Sequence, residues 1–345
     1  MSISSQNYFD VYSTTDDLKL FSLLSTNIHT RCIYIGVKDG LFLQIESGVE
    51  DLNILAKNLG YNTERLHRLL KNFEHLNLVK EKNENQYELT SSGKKLLPNT
   101  KGSFAHLALL WGEEFQEVTN HLHEILKSEK SGFECAYKEN VYSYLESNLK
   151  MAENFNLAMR GVSEYCSEDV LHEIDLNSAN KIADIGGGSG ANLRAFITNN
   201  SHLNGILFDQ KSVIDKAIEE METFQHKNRV ELIAGDFFKP FSFKVDVIIL
   251  SKIIHNWDDE RAVQILTNCR NALNDNGKIY LIEWTLEHER EPLTARTMDI
   301  NMMIATCGKV RSFKEFGKLF DNAGLKFSQA KNISNKIGLI EVTTM

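Results

Sequence analysis

Asp184-Ile-Gly186-Gly187-Gly188-Ser-Gly190 decides the fold class. It follows the short apolar run 181–185 and precedes a stretch of helical spacing, so its glycines fall in a strand-to-helix turn. In an open α/β sheet that turn lies at the carboxyl ends of the strands, where ligands bind. Glycine admits positive φ and close backbone approach, so a cofactor's amino-acid portion and ribose can lie directly on the chain. The loop does not choose its ligand by itself. Gly186-x-Gly188-x-x-Ala191 also satisfies the dinucleotide fingerprint, which keeps a nicotinamide oxidoreductase open.

Working outward, short apolar runs alternate with helical segments, the pattern of a parallel sheet with covering helices. The strands read as 181–185, 205–208, 229–233, 245–250 and 277–284. Lys326 to Gln329 and Ile337 to Thr343, around a polar turn at Asn332-Ile-Ser-Asn-Lys336, predict a closing antiparallel hairpin. Asp209 ends the second strand, where a carboxylate can accept from ribose hydroxyls. Asp236-Phe237 follows the third, where a carboxylate can accept from an adenine amino group while Phe237 packs on the ring. Either acid alone would read as a solvated loop residue; their placement at successive strand ends favours a shared ligand. The fourth strand runs into Ser251-Lys-Ile-Ile-His255-Asn-Trp257-Asp-Asp-Glu260, which sets one imidazole beyond the same sheet edge. A lone histidine is usually structural, but this position and a pKa near neutrality suit a general base. Asp258, Asp259 and Glu260 open the next helix, where negative charge favours the dipole.

Toward the N-terminus the pattern is helical. Leu18 to Ile35 reads as a helix broken by Gly36, Gly40 and Ser47-Gly48. Residues 51–60 and the helix opened by Asn62-Thr63 form a helix-turn-helix, and Val79 to Leu89 reads as a wing hairpin with its turn at Asn83-Glu-Asn-Gln86. Residues 18–98 thus read as a winged helix. DNA binding is its functional reading, dimerisation its structural one, and the missing basic excess favours dimerisation. Phe104 to His172 is mostly helical with scattered aromatics. Domains of 1–100, 101–172 (a helical linker and lid) and 173–345 follow.

At 345 residues, 42% hydrophobic and 25% charged, the chain has ample material for a core and for more than one domain. A net charge of -9 argues against nucleic acid or an anionic membrane as partner. Cys32, Cys135, Cys166, Cys269 and Cys307 are widely spaced and read as reduced, mostly buried thiols. The first residues lack the basic and apolar regions of a secretory signal, and no apolar run approaches the ~20 residues that span a bilayer, so the cytoplasm is the expected address. No HxxxH, HExxH or Cys/His cluster suggests a metal.

Asp184-Ile-Gly-Gly-Gly-Ser-Gly190, Gly235-Asp-Phe-Phe238, His255-Asn-Trp-Asp-Asp-Glu260 and Gly308-Lys-Val-Arg311, with Phe316 and Ala323-Gly324, resemble the motifs of the small-molecule O-methyltransferases. That family includes plant caffeate-type enzymes and bacterial polyketide and phenazine tailoring enzymes. The likeness covers nearly the whole chain. It implies a Rossmann-like seven-stranded domain with a terminal antiparallel hairpin, an N-terminal winged-helix homodimerisation domain, S-adenosyl-L-methionine as cofactor and S-adenosyl-L-homocysteine as product. It further implies that Asp184, Gly186, Gly187, Gly188, Gly190, Asp209, Asp236, Phe237 and Ser251 contact the cofactor, with Arg160 near a position that meets its carboxylate in some bacterial members. His255 matches the family's general base and Glu283 the carboxylate that orients it; Asp299, Asn301, Met302, Met303 and Trp257 fall where members line the acceptor pocket. Two positions depart from the pattern: Asn256 stands where Asp is common, and Val310 where a second orienting carboxylate is expected. The implied reaction is methylation of a hydroxyl on a small aromatic or polyketide-like acceptor. The departures keep open relatives that hold the cofactor but perform C- or N-methylation, hydroxylation or pericyclic chemistry, and a winged-helix regulator stands as an alternative of another class.

Overall fold

The computed structural model describes residues 16–170, 172–286, 293–333 and 337–345. The chain divides into two compact units, one of residues 1–116 with 153–162 and one of residues 117–152 with 163–345.

The first unit opens with helices Asp16–Lys38, Leu41–Glu46, Leu52–Leu59 and Thr63–His75, followed by β1 (Val79–Asn83) and β2 (Gln86–Leu89), which pair antiparallel. The turn between the third and fourth helices is written locally. Asp51 caps Leu52–Leu59 by accepting from the Asn53 and Ile54 amides, Gly60 ends it at φ 68°, and Asn62 caps the next helix by accepting from Arg65. Apolar residues at helical spacing then meet in one core, with Phe42 and Phe73 at 5.1 Å beside Leu55, Leu66, Leu70 and Tyr87. Gly36 corrects the sequence reading. It lies inside the first helix, because a Cβ there would stand 2.7 Å from the Phe42 ring, so the glycine permits close packing and breaks nothing.

The second unit carries β3 (Lys181–Ile185), β4 (Asn204–Asp209), β5 (Val230–Ala234), β6 (Val245–Ser251), β7 (Leu273–Glu283), β8 (Leu325–Ile333) and β9 (Ile337–Thr344) in one sheet, ordered β5-β4-β3-β6-β7-β9-β8. The first five strands pair in parallel and β9 runs antiparallel between β7 and β8. β3 and β6 are buried almost throughout, as strands covered on both faces must be, which explains their unbroken apolar runs. From β3 the chain winds outward through β4 and β5, then returns to lay β6 against the other side of β3. That reversal opens a crevice at the carboxyl ends of β3 and β6.

β7 starts at Leu273, earlier than the expected 277, because the polar stretch Asn274-Asp-Asn-Gly277 is an irregularity within the strand: Val245 pairs with Leu273, Val247 with Lys278, and Asn276 takes φ 61°. β8 likewise runs past Gln329 to Ile333, since β9 offers partners as far as Ile337, so Asn332 belongs to the ladder. Residues 334–336 of the expected turn lie outside the described residues. Of the thiols, Cys135 and Cys269 are buried and Cys32 is half-buried. Cys307 is exposed, at a left-handed residue (φ 63°) following helix Leu293–Ala305. The Cys166 side chain lies outside the described residues.

Candidate active site

The glycine loop joins β3 to helix Ala191–Asn199. Gly186, Gly188 and Gly190 have φ 68°, 59° and 76°, a region that costs other residues strain. A Cβ on Gly186 would meet Ile253 at 2.5 Å, one on Gly187 the Asp184 carboxylate at 2.7 Å, and one on Gly190 Met221 at 2.8 Å. A Cβ on Gly188 would meet nothing within 4 Å. Three glycines therefore serve packing, and the fourth faces open space that a ligand can enter.

Two acids stand behind this loop. Asp209 ties it to β4: its Oδ2 accepts from the Gly188 amide at 2.8 Å and its Oδ1 from the Gln210 amide at 2.7 Å. Burial raises its carboxyl above the usual range, and those two amides pull the other way. Asp184 is fully buried, and neither of its oxygens makes a hydrogen bond of ordinary geometry among the described residues. Burial first and the Asp209 charge second push its carboxyl up to about 7; the Lys252 ammonium and the Leu193 amide oppose them without offsetting them. Asp184 thus lies against Gly187, and Asp209 holds the amide of the open Gly188 beside it.

Asp236 is exposed beyond β5, with Oδ1 accepting from the Phe238 amide at 2.9 Å. Phe237 beside it packs edge-on to Trp257 at 5.9 Å, and Trp257 stacks on Tyr142 at 5.2 Å and 14°. Tyr142, on helix Val141–Ser147, also feels Asp209: burial of its hydroxyl first, then that charge, raises it above the ordinary tyrosine range. The aromatic wall thus spans from the acid after β4 to the ring after β5. In the sequence Tyr142 is one of several aromatics in a helical stretch, a few of which could line a substrate cavity, and no local signal singles it out. Its partner Trp257 therefore lies with Phe237 and Tyr142.

The chemical end is built from side chains. β6 ends at Ser251, and Lys252 turns at φ 58° while its amide donates to Ile282 O on β7. Ile254–Asn256 form a short 3-10 turn that carries His255, buried at 5% exposure. Glu283 ends β7, fully buried; its Oε1 accepts from the Ile253 and Ile254 amides at 3.0 and 2.8 Å, and its Oε2 lies 2.7 Å from His255 Nδ1. One carboxylate therefore holds the turn through two amides and sets its other oxygen against the ring, in a close contact without ordinary hydrogen-bond geometry. This leaves Nε2 as the imidazole nitrogen available to a substrate.

Arg311 holds the turn from the other side. Its guanidinium, 1% exposed, donates to Ile254 O at 3.1 Å, Trp257 O at 2.7 Å and Asp259 Oδ1 at 2.8 Å, so it grips the chain on both sides of His255. Gly308 belongs to the same contact, because a Cβ there would stand 2.1 Å from His255 O. Asn256 is accounted for locally: its amide nitrogen donates to Lys252 O at 3.0 Å and Ile253 O at 3.3 Å, bonds an ionised Asp could not make.

On the remaining side, Val310 is buried with Trp284 and Met302, and Leu286 and Met298 pack against them. An apolar wall thus occupies the place of the expected second carboxylate. Asp299 Oδ1 accepts from the Val310 amide at 3.0 Å. Met298 and Met302 share a helix face; Asn301 and Met303, half-buried, project about 100° to either side of Met302, so the expected acceptor residues do not all face one pocket. Arg160, on helix Leu149–Val170, belongs to the first unit, whereas the glycine loop belongs to the second. Among the described residues no group of three or more His, Cys, Asp or Glu is placed to hold a metal, and no helix is long and apolar enough to cross a membrane.

The sequence model of the O-methyltransferase domain matches residues 119–326. Phenazine-1-carboxylate N-methyltransferase of Pseudomonas aeruginosa is 28% identical over 305 residues, 88% of this chain and 90% of that protein. Phenazine O-methyltransferase PhzM of Lysobacter antibioticus is 26% identical over 313 residues, 90% of this chain and 92% of that protein. Among solved structures, human N-acetylserotonin methyltransferase in complex with SAM superposes with a TM-score of 0.86 at 20% identity, covering 100% of this chain and 99% of that one.

Proposed function

This chain belongs to the O-methyltransferase family and is an S-adenosylmethionine-dependent methyltransferase; we propose that its acceptor is a hydroxyl on a small aromatic or polyketide-like metabolite, with His255 as general base. The observation that carries this reading is the 2.7 Å contact between His255 Nδ1 and Glu283, which leaves Nε2 for the acceptor proton. When bound, S-adenosylmethionine supplies a methyl group already activated by a positive sulfur. The protein's own work is then alignment and exclusion of water. Gly188 would meet the amino-acid portion and ribose, on a loop that Asp184, Gly186, Gly187 and Gly190 shape. Asp209 and Asp236 accept from ribose and adenine, Phe237 packs on the ring, and Ser251 completes the cofactor contacts of this unit. On the acceptor side Met302 faces the acceptor ring, Asn301 and Met303 flank it, Asp299 holds the Val310 amide, and Trp257 stands at the boundary with the cofactor. As the acceptor oxygen attacks, His255 takes its proton, and Glu283 stabilises the imidazolium that forms.

Incubation with methyl-labelled cofactor and phenolic acceptors tests the reading. Label in an ether product, lost in His255→Ala, supports it; full turnover of that variant on a verified hydroxyl acceptor overturns it.

N-methylation is the second reading, favoured by Val310 and by the N-methyltransferase relative. A ring nitrogen attacks through a free lone pair and needs no base, so methylation that survives His255→Ala on a nitrogen acceptor would select it.

We further infer a homodimer formed through the N-terminal winged-helix unit. Leu20, Phe21, Leu24 and Ile28 are 58%, 72%, 75% and 65% exposed along the first helix, an apolar stripe that water disfavours. Light scattering at micromolar concentration should give twice the monomer mass; a monomer sinks the inference. Gel-shift at stated salt should show no specific DNA binding, and binding that survives physiological salt would revive the regulator reading.

A further inference from the structure

Two consecutive carbonyls of the loop after β5 are held from outside it. Helix Asp259–Ala272 carries Gln264 and Asn268 four residues apart, hence on one face. Asn268, 9% exposed, donates from its side-chain amide to Phe237 O at 3.0 Å, and the exposed Gln264 donates to Phe238 O at 2.8 Å. A trans peptide sets its N–H opposite its C=O. The two peptide units whose oxygens face the helix therefore turn their N–H groups the other way, and both meet Asp236. The Phe238 amide donates to Asp236 Oδ1 at 2.9 Å, and the Lys239 amide donates to the Asp236 backbone oxygen at 2.9 Å. Each peptide plane is gripped at both edges, so neither can rotate without breaking two bonds. The loop is anchored at its start as well, where the Gly235 amide donates to Asp209 O at 2.9 Å. Asp236 itself is exposed, and an exposed carboxylate ordinarily turns freely about its last torsion. Here Oδ1 is held, which leaves Oδ2, 4.0 Å from the exposed Lys239 ammonium, as the oxygen with capacity for a ligand N–H.

We propose that Asn268, assisted by Gln264, is a positioning residue for purine selection: it fixes the Asp236 carboxylate so that the site takes a 6-amino purine and rejects a 6-oxo one. The inference rests on the reading above that Asp236 accepts from the adenine amino group. An ionised carboxylate can only accept. It pairs with an amino group and repels a carbonyl oxygen at the same ring position, but only while its direction is fixed; a carboxylate that can swing aside admits the 6-oxo ring at little cost. Neither Asn268 nor Gln264 touches the ligand in this arrangement. Asn268 carries more of the effect, because its buried bond escapes the competition from water that Gln264 meets at the surface.

Calorimetry with S-adenosylhomocysteine and its 6-oxo analogue S-inosylhomocysteine reads the selection without any acceptor. The unaltered protein should prefer the amino compound about 10- to 100-fold, the worth of one hydrogen bond to a charged group. Asn268→Leu removes the donor at similar volume and should reduce that preference about fivefold, mainly through weaker S-adenosylhomocysteine binding, while Gln264→Ala should reduce it about twofold. A tie that merely holds the loop would weaken both compounds alike and leave their ratio intact, so an unchanged ratio in Asn268→Leu overturns the inference. Should that variant fail to fold, the ratio in Gln264→Ala decides, a drop supporting the inference and no drop overturning it. Asp236→Asn tests the parent reading on its own, since an amide there can donate to a 6-oxo group and should remove the preference. A preference lost in Asp236→Asn but kept in the helix variants removes the Asn268 role and keeps the adenine reading. One kept in Asp236→Asn, or absent from the unaltered protein, removes both.

Discussion

The two ends of the crevice are built on opposite principles. At the β3 end, backbone conformation does the work: glycines at positive φ clear a space, and behind them Asp184 is left without an ordinary hydrogen-bond partner. At the β6–β7 end, side chains do the work: Glu283 holds two amides with one oxygen, Arg311 closes the turn from behind, and Glu283 Oε2 faces His255 Nδ1 at 2.7 Å without ordinary hydrogen-bond geometry. The contrast separates binding from chemistry. Under the proposed function, a ligand that comes and goes would supply partners at the first end, whereas a proton acceptor must keep its geometry whether or not the ligand is there.

The sharpest way to break this contrast is His255→Ala. We expect turnover on a hydroxyl acceptor to fall about 10²–10⁴-fold, the usual worth of a positioned base, with S-adenosylhomocysteine affinity changed less than about twofold by calorimetry. A matching loss of affinity would show that the two ends are not separate.

Asp184 tests the other end. Its carboxyl keeps a proton up to about pH 7 in the folded state and releases it near pH 4 when unfolded. The folded state therefore binds more protons in that window. The stability this group adds is fully present below pH 4 and disappears as pH rises through 7, by at most about 4 kcal/mol. Denaturant unfolding at pH 5 and 8 should show the slope, and Asp184→Asn should flatten it and weaken S-adenosylhomocysteine binding. An unchanged slope would remove Asp184 as its source.

Arg311→Met sharpens the comparison at the chemical end. It leaves the Ile254 and Trp257 carbonyls without their donor, and about 2–3 kcal/mol of stability should go with them; Asp259, 61% exposed, adds little. A denaturation midpoint equivalent to the unaltered protein would mean the clamp is not holding. The smallest effect is expected from Gly188→Ala. Its Cβ meets no protein atom, so the fold should tolerate it at about 1 kcal/mol of backbone strain, while cofactor affinity drops about tenfold. Gly187→Ala, which strikes Asp184 and Leu207, should instead perturb the loop itself, and equal behaviour of the two variants would erase the distinction between packing and ligand-facing glycines.

What the sequence disclosed follows the range of the forces involved. The glycine loop, the Asp51 and Asn62 caps and the strand-end acids are local: a few neighbouring residues settle their conformation, so their pattern is visible in one dimension. The Arg311 grip on Ile254 spans 57 residues, and the Tyr142 stack reaches Trp257 from another segment altogether. Neither has a periodicity to betray it. Gly36 misled for the same reason, since the Phe42 ring that demands it is invisible in a scan for helix breakers. Val310 was visible as a departure, but only its neighbours Trp284 and Met302 tell what replaced the lost charge.

The placement of β9 between β7 and β8 bears on how the molecule comes to fold. β8 and β9 are close in sequence and can zip together early, whereas β7 must wait for a partner from far along the chain. Until that hairpin docks, the strand that ends in Glu283 presents an open edge of unpaired amides and carbonyls, the kind of surface that recruits other chains. Slowing the docking step should therefore show first as self-association during refolding.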